Sequence, residues 1–109
     1  MITNGEINQL RDVIVEKFSP KLIYLFGSYA YGTPRGNSDL DLMVLDDYSD
    51  DREARVKGRA VHRALAEFPL DIDLIVYPLS LFKEKVKENW SFFSEVSEKG
   101  KIIYDGTRI

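Results

Sequence analysis

The sequence has no cysteine, one histidine and one tryptophan among its 109 residues. Without cysteine there is no disulfide framework and no thiolate metal site, and a cytoplasmic location is the simplest expectation. An excess of positive charge is missing too: 15 basic against 18 acidic residues give a net charge of −3. A general nucleic-acid binder carries a basic footprint, so none is expected here. An acidic balance suits a chain that gathers carboxylates to hold metal. No apolar run approaches the roughly 18 residues of a membrane span. The opening Met1-Ile2-Thr3-Asn4-Gly5-Glu6 has neither the basic nor the apolar part of a signal peptide. Repeats, low-complexity tracts and linkers are also absent. At this length one domain over residues 1–109 is expected.

The periodicity predicts alternating helices and strands, hence an α/β (α+β) domain. A helix is expected over 4–18, where Ile7, Leu10, Val13, Ile14 and Phe18 recur at helical spacing behind a Thr3…Glu6 capping box. Lys21–Phe26 reads as a strand, 28–31 as a short helical piece and Thr33–Asn37 as a loop of turn formers. A second strand is expected over Asp39–Leu45, followed by the acidic patch 46–51. A long helix follows over about 51–68, with Ala54, Gly58, Val61, Leu65 and Phe68 on its inner face. Asp71–Tyr77 reads as a third strand and Ser80 as the cap of a helix through Asn89. Trp90, Phe92, Phe93 and Val96 make an aromatic-rich closing segment, its three aromatics read as core or partner contact with core favoured, before a last short strand, Lys101–Tyr104.

The chemistry concentrates between residues 27 and 41. Gly27-Ser28-Tyr29-Ala30-Tyr31-Gly32 is followed five residues later by Ser38-Asp39-Leu40-Asp41. Alternate residues of a strand share a face and lie roughly 6.5–7 Å apart, so Asp39 and Asp41 are expected side by side, close enough to share divalent metal. A further acid comes from the third strand. Asp73 and Asp71 both have the right parity, and the period of two leaves the choice open. Hard cations prefer carboxylate oxygens. Nucleotide transfer needs an electrophilic α-phosphate, a deprotonated acceptor and a stabilised pyrophosphate, work suited to two magnesium ions. Glycine at 27 lets the backbone approach phosphates, and the N–H groups around Gly27 and Ser28 are candidates to grip them.

Other motifs fail on residue grounds. Thr33 stands where a P-loop requires lysine, and no Gly-x-Gly-x-x-Gly is present. Glycosyltransferases also use Asp-x-Asp, but they are generally longer and leave the Gly-Ser turn unexplained. Arg52, Arg55, Arg59 and Arg63 fall along one side of the long helix. They read either as a solvated face or as a docking surface for an acidic partner. Arg35 is a candidate phosphate contact, His62 reads as a surface residue, and Tyr29, Tyr31 and Tyr48 either line a cleft or pack over its rim.

The Gly-Ser turn, the Asp-x-Asp pair and the later strand acid resemble the nucleotidyltransferase superfamily that includes DNA polymerase β. More narrowly, Gly-Ser-x3-Gly-x5-Ser-Asp-x-Asp and the ending Lys101-Ile102-Ile103-Tyr104-Asp105-Gly106 resemble the minimal nucleotidyltransferase (MNT) family over residues 4–106. The resemblance implies a polymerase β-like fold with a small mixed sheet flanked by helices. It implies Asp39, Asp41 and Asp73 as catalytic metal ligands, Asp73 being favoured over Asp71 by its apolar flanks. Gly27, Ser28 and Ser38 are the implied nucleotide-binding residues, with Mg2+ as cofactor and ATP as substrate. MNT proteins commonly pair with small helical HEPN proteins in toxin–antitoxin systems, so an antitoxin that moves AMP onto a tyrosine of a HEPN toxin is implied. Two alternatives stand beside it: a catalytically idle module that neutralises its partner by covering it, and an enzyme for small molecules or RNA ends that needs a second subunit. Homo-oligomerisation is left open.

Overall fold

A computed structural model describes residues 1–107 of the chain. Helix α1 spans Asn4–Phe18 and begins at the expected capping box. The Thr3 hydroxyl accepts from the Glu6 N–H at 3.2 Å, and the Glu6 carboxylate accepts from the Thr3 N–H at 2.9 Å. These bonds satisfy amides that a helix start otherwise leaves bare. The helix ends where Ser19 turns left-handed (φ 45°) ahead of Pro20.

Four strands follow: β1 (Leu22–Phe26), β2 (Leu40–Asp46), β3 (Ile72–Pro78) and β4 (Lys101–Asp105). They form one mixed sheet in the order β3-β2-β1-β4. β1 runs antiparallel to β2 and β4, while β2 and β3 are parallel. Helix α2 (Ser28–Tyr31) joins β1 to the loop before β2, and α3 (Asp51–Ala64) makes the crossover to β3. Helices α4 (Leu79–Lys87) and α5 (Ser91–Lys99) precede β4.

The strand period of two divides the core between the sheet's faces. On one face Ile23, Leu25, Leu40, Leu42 and Val44 pack with Ile7, Leu10 and Ile14 of α1 and Val61 of α3. On the other, Tyr24, Phe26, Met43 and Leu45 pack with Leu79 and Phe82 of α4 and Val96 of α5. Each such large apolar side chain contributes on the order of 1.5–3 kcal/mol when fully buried, so both layers of helix are held firmly. The acids discussed below lie on the second face.

Some boundaries differ from those the sequence suggests. α3 ends at Ala64 rather than near 68, because Pro69 biases the preceding residue away from helix. The chain closes instead in a turn, the Phe68 N–H donating to the Leu65 carbonyl. Ser80 caps nothing: α4 begins at Leu79 directly off β3, with Pro78 at the cap position and no side-chain hydrogen bond. Phe92 and Trp90, both expected in the core, are 41% and 52% exposed. Trp90 stacks under the Lys85 ammonium at 3.8 Å and donates its indole N–H to Glu88. The acidic patch 46–51 serves local structure, since the Asp50 carboxylate caps α3 through the Glu53 N–H and Asp46 accepts from the Asp47 N–H.

Candidate active site

The register of β2 and β3 places the acids. Asp41 lies directly opposite Asp73 across the parallel pair and opposite Phe26 on β1. Neighbouring strands are roughly 4.8 Å apart and partners in register share a face, so the two carboxylates meet, close enough for Asp73 to act on Asp41. Asp39, expected as the first residue of this strand, sits just before β2, which begins at Leu40. It stays close enough for its charge to act on Asp41. Asp71 lies just before β3, where its carbonyl accepts from the Leu40 N–H. There it borders a hollow formed with Met1, Ile2 and Ser38. The structure therefore brings Asp73, not Asp71, to Asp41.

The electrostatics follow from this crowding. The Asp41 carboxyl is pushed up to about 6, first by partial burial, then by the charge and hydrogen bond of Asp73, then by the charge of Asp39. Burial and like charge both disfavour the ionised form. Beside the acids stands an aromatic pair that sequence reasoning missed. Phe26 stands next to Asp41 in register, and Phe92 of α5 meets Phe26 edge-on at 5.6 Å and 81°. The parity of Phe26 with Tyr24 was the available signal, but the arrival of Phe92 depends on how α5 packs.

Gly27 abuts the same group. Its φ is +69°, a conformation L side chains rarely adopt, and a β-carbon there would stand only 2.9 Å from the Asp41 Cγ. In the α2 turn, Ala30 and Tyr31 donate to the Gly27 carbonyl, so the Ser28 and Tyr29 amides precede the first bonded one. Gly32 closes the turn because a β-carbon would come within 2.9 Å of the Ser28 Cα.

The remaining candidates take mostly structural places. The Ser38 hydroxyl accepts from the Arg35 N–H at 2.8 Å and ties the loop before Asp39. Tyr29 accepts from the Ile2 N–H, fastening the N-terminal segment. Tyr48 is buried, which with the charges of Asp46 and Glu53 pushes its phenol up to about 12. Tyr31 is 37% exposed. Among the described residues no three acids or histidines already converge as a ready-made metal cage. The site is a crowded pair with a third acid beside it, a donor set of hard oxygens whose mutual repulsion a divalent cation relieves.

The fold and this grouping of acids place the chain among small α/β nucleotide-transfer domains. A family model described as polymerase beta, nucleotidyltransferase matches residues 8–108, and the chain belongs to that family. The putative protein adenylyltransferase MJ0604 of Methanocaldococcus jannaschii is 34% identical over 84 residues, 77% of this chain and 78% of that protein. Protein adenylyltransferase MntA of Shewanella oneidensis is 39% identical over 72 residues, 66% of this chain but 48% of MntA, so the match spans about half of that relative. A crystal structure of a toxin–antitoxin with AMP-PNP shares 28% identity at a TM-score of 0.51, covering 90% of this chain and 72% of that one.

Proposed function

We propose that the protein is an antitoxin that transfers AMP from ATP to a hydroxyl of its partner toxin, acting in the cytoplasm. The observation that carries this reading is the meeting of Asp41 and Asp73 in register, with Asp39 beside them and the Gly27–Ser28 turn against Asp41. The two relatives named protein adenylyltransferases and the AMP-PNP-bound toxin–antitoxin support the choice of AMP and of a protein acceptor. A tyrosine of a small helical HEPN protein is the acceptor that the MNT resemblance implies.

In this reading the backbone amides of Ser28 and Tyr29 and the Ser28 hydroxyl bind the β- and γ-phosphates. Gly27 keeps side-chain atoms out of their path. Asp39, Asp41 and Asp73 would hold Mg2+, which when bound supplies positive charge to the phosphates and pyrophosphate. The acceptor oxygen attacks the α-phosphorus, the bond from that phosphorus to the β-phosphate oxygen breaks, and pyrophosphate leaves. In this reading Asp73 takes the acceptor's proton. Phe26 flanks Asp41 in register. Ser38 acts by fixing the loop that presents Asp39.

The test is to supply ATP labelled at either the α- or the γ-phosphate to the protein with its partner. Label from the α-position on partner protein, and none from the γ-position, is expected. Label on RNA or a small acceptor would overturn the protein-acceptor reading. Full neutralisation of the toxin by an Asp39→Asn, Asp41→Asn double variant would favour the idle binding module.

A further inference from the structure

A second feature lies away from these carboxylates. β3 is an edge strand of the sheet. Its parallel ladder to β2 uses alternate residues: the Leu40 N–H bonds the Asp71 carbonyl, which fixes the pattern. The N–H and C=O groups of Ile72, Leu74 and Val76 therefore face outward. Beside this edge, α3 leaves a groove of about 730 Å³ with Leu74, Ile75 and Val76 along its floor and Arg55, Arg59, His62 and Arg63 along its wall.

The wall is positive on a chain of net charge −3. Arg55, Arg59 and Arg63 follow one another at i, i+4, a spacing at which like charges repel. All three are exposed. Among the described residues the ion pairs are Arg11–Asp12 and Lys21–Asp47, so none of these arginines is neutralised. Asp51, in the first turn of α3, heads the same row one turn before Arg55, but no ion pair joins them among the described residues. Gly58 sits mid-helix and opens the groove between the arginines. A β-carbon there would only touch Val76 at 3.5 Å, so packing does not demand glycine.

We infer that this groove docks an extended, acidic segment of a partner protein, which adds to the β3 edge and sets its carboxylates against Arg55, Arg59 and Arg63. An unpaired strand edge supplies backbone bonds and the arginines supply bidentate recognition of carboxylates. The apolar floor does not suit a nucleic-acid backbone, and no Phe, Tyr or Trp lines the groove for base stacking. A second copy of this chain is disfavoured as well. Its acidic patch is built into local structure rather than offered as an extended segment: Asp46 and Asp50 accept from backbone amides, and Asp47 pairs with Lys21.

The probe is a short synthetic peptide alternating glutamate and valine, followed by fluorescence anisotropy, with a lysine–valine peptide and an oligouridine RNA alongside. The glutamate peptide is expected to bind and to slow hydrogen exchange at the Leu74 and Val76 amides. Arg59→Glu should weaken it by about tenfold or more, and Gly58→Leu should block it by filling the groove. Arg59→Glu should also gain affinity for the lysine peptide, a readout that loss of folding cannot mimic. Nucleotide binding at the carboxylate site should not change in Arg59→Glu, which keeps this inference separate from the proposed AMP transfer. Three results would each overturn it: peptide binding that is absent or indifferent to Arg59→Glu, tighter RNA binding that Arg59→Glu abolishes, or a parent dimer that Arg59→Glu dissociates.

Discussion

Consider the metal-free protein with Asp41 replaced by asparagine. In the fold the Asp41 carboxyl is raised from 3.8 to about 6. The folded state therefore holds this proton more tightly than the unfolded chain does. Below about pH 4 both states are protonated and the group is neutral to stability. As pH rises through the interval to about 6 the folded state loses ground, and above it the full penalty applies. Two units at about 1.4 kcal/mol each give roughly 3 kcal/mol. Asp41 is only half-buried, so solvent screening reduces this to about 1–1.5 kcal/mol. Asparagine keeps the shape and can donate to Asp73 while removing the charge. Thermal melts in a chelating buffer should show Asp41→Asn about 5 °C more stable than the parent at neutral pH, from the usual 4–8 °C per kcal/mol. The gain should vanish near pH 4. A variant no more stable than the parent at neutral pH, or equally advantaged at pH 4, would refute the crowding of these acids. With magnesium and ATP present the order should reverse, because ligand binding stabilises only the chain that retains the site.

The same geometry separates other residues. Gly27→Ala should cost about 2–4 kcal/mol in urea unfolding, from a disfavoured φ and a collision with Asp41, and should abolish nucleotide binding. Asp73→Asn should abolish AMP transfer while Asp71→Asn leaves it within a few-fold, because only Asp73 meets Asp41; equal losses in the two variants would contradict the register. Thr3→Ala should lower stability by about 1 kcal/mol through the lost cap, without changing nucleotide affinity.

Much of this was legible in the sequence because it rests on local physics. The Thr3–Glu6 capping box and the apolar stripe Ile7–Leu10–Ile14 are encoded within a few residues, and the Gly27–Asp41 motif within fifteen. What escaped depends on distant chain. Period two alone gives Asp71 and Asp73 equal standing; the apolar flanks of Asp73 favour it, but its meeting with Asp41 is set by the register of β3, which begins at Ile72. Trp90 belongs by composition inside, but Lys85 and Glu88 hold it at the surface. The arginines of α3 read as a stripe, whereas the groove they border exists only because β3 is an edge strand. The end of α3 shows a milder conflict, in which helical spacing continues through Phe68 but Pro69 prevails.

The most direct test is calorimetric titration of the protein, in complex with its partner, with AMP-PNP in the presence and absence of magnesium, beside Asp41→Asn and Asp73→Asn. The account predicts binding that requires magnesium and is lost in both variants. Binding unchanged by chelation, or retained when either carboxylate is removed, would contradict it.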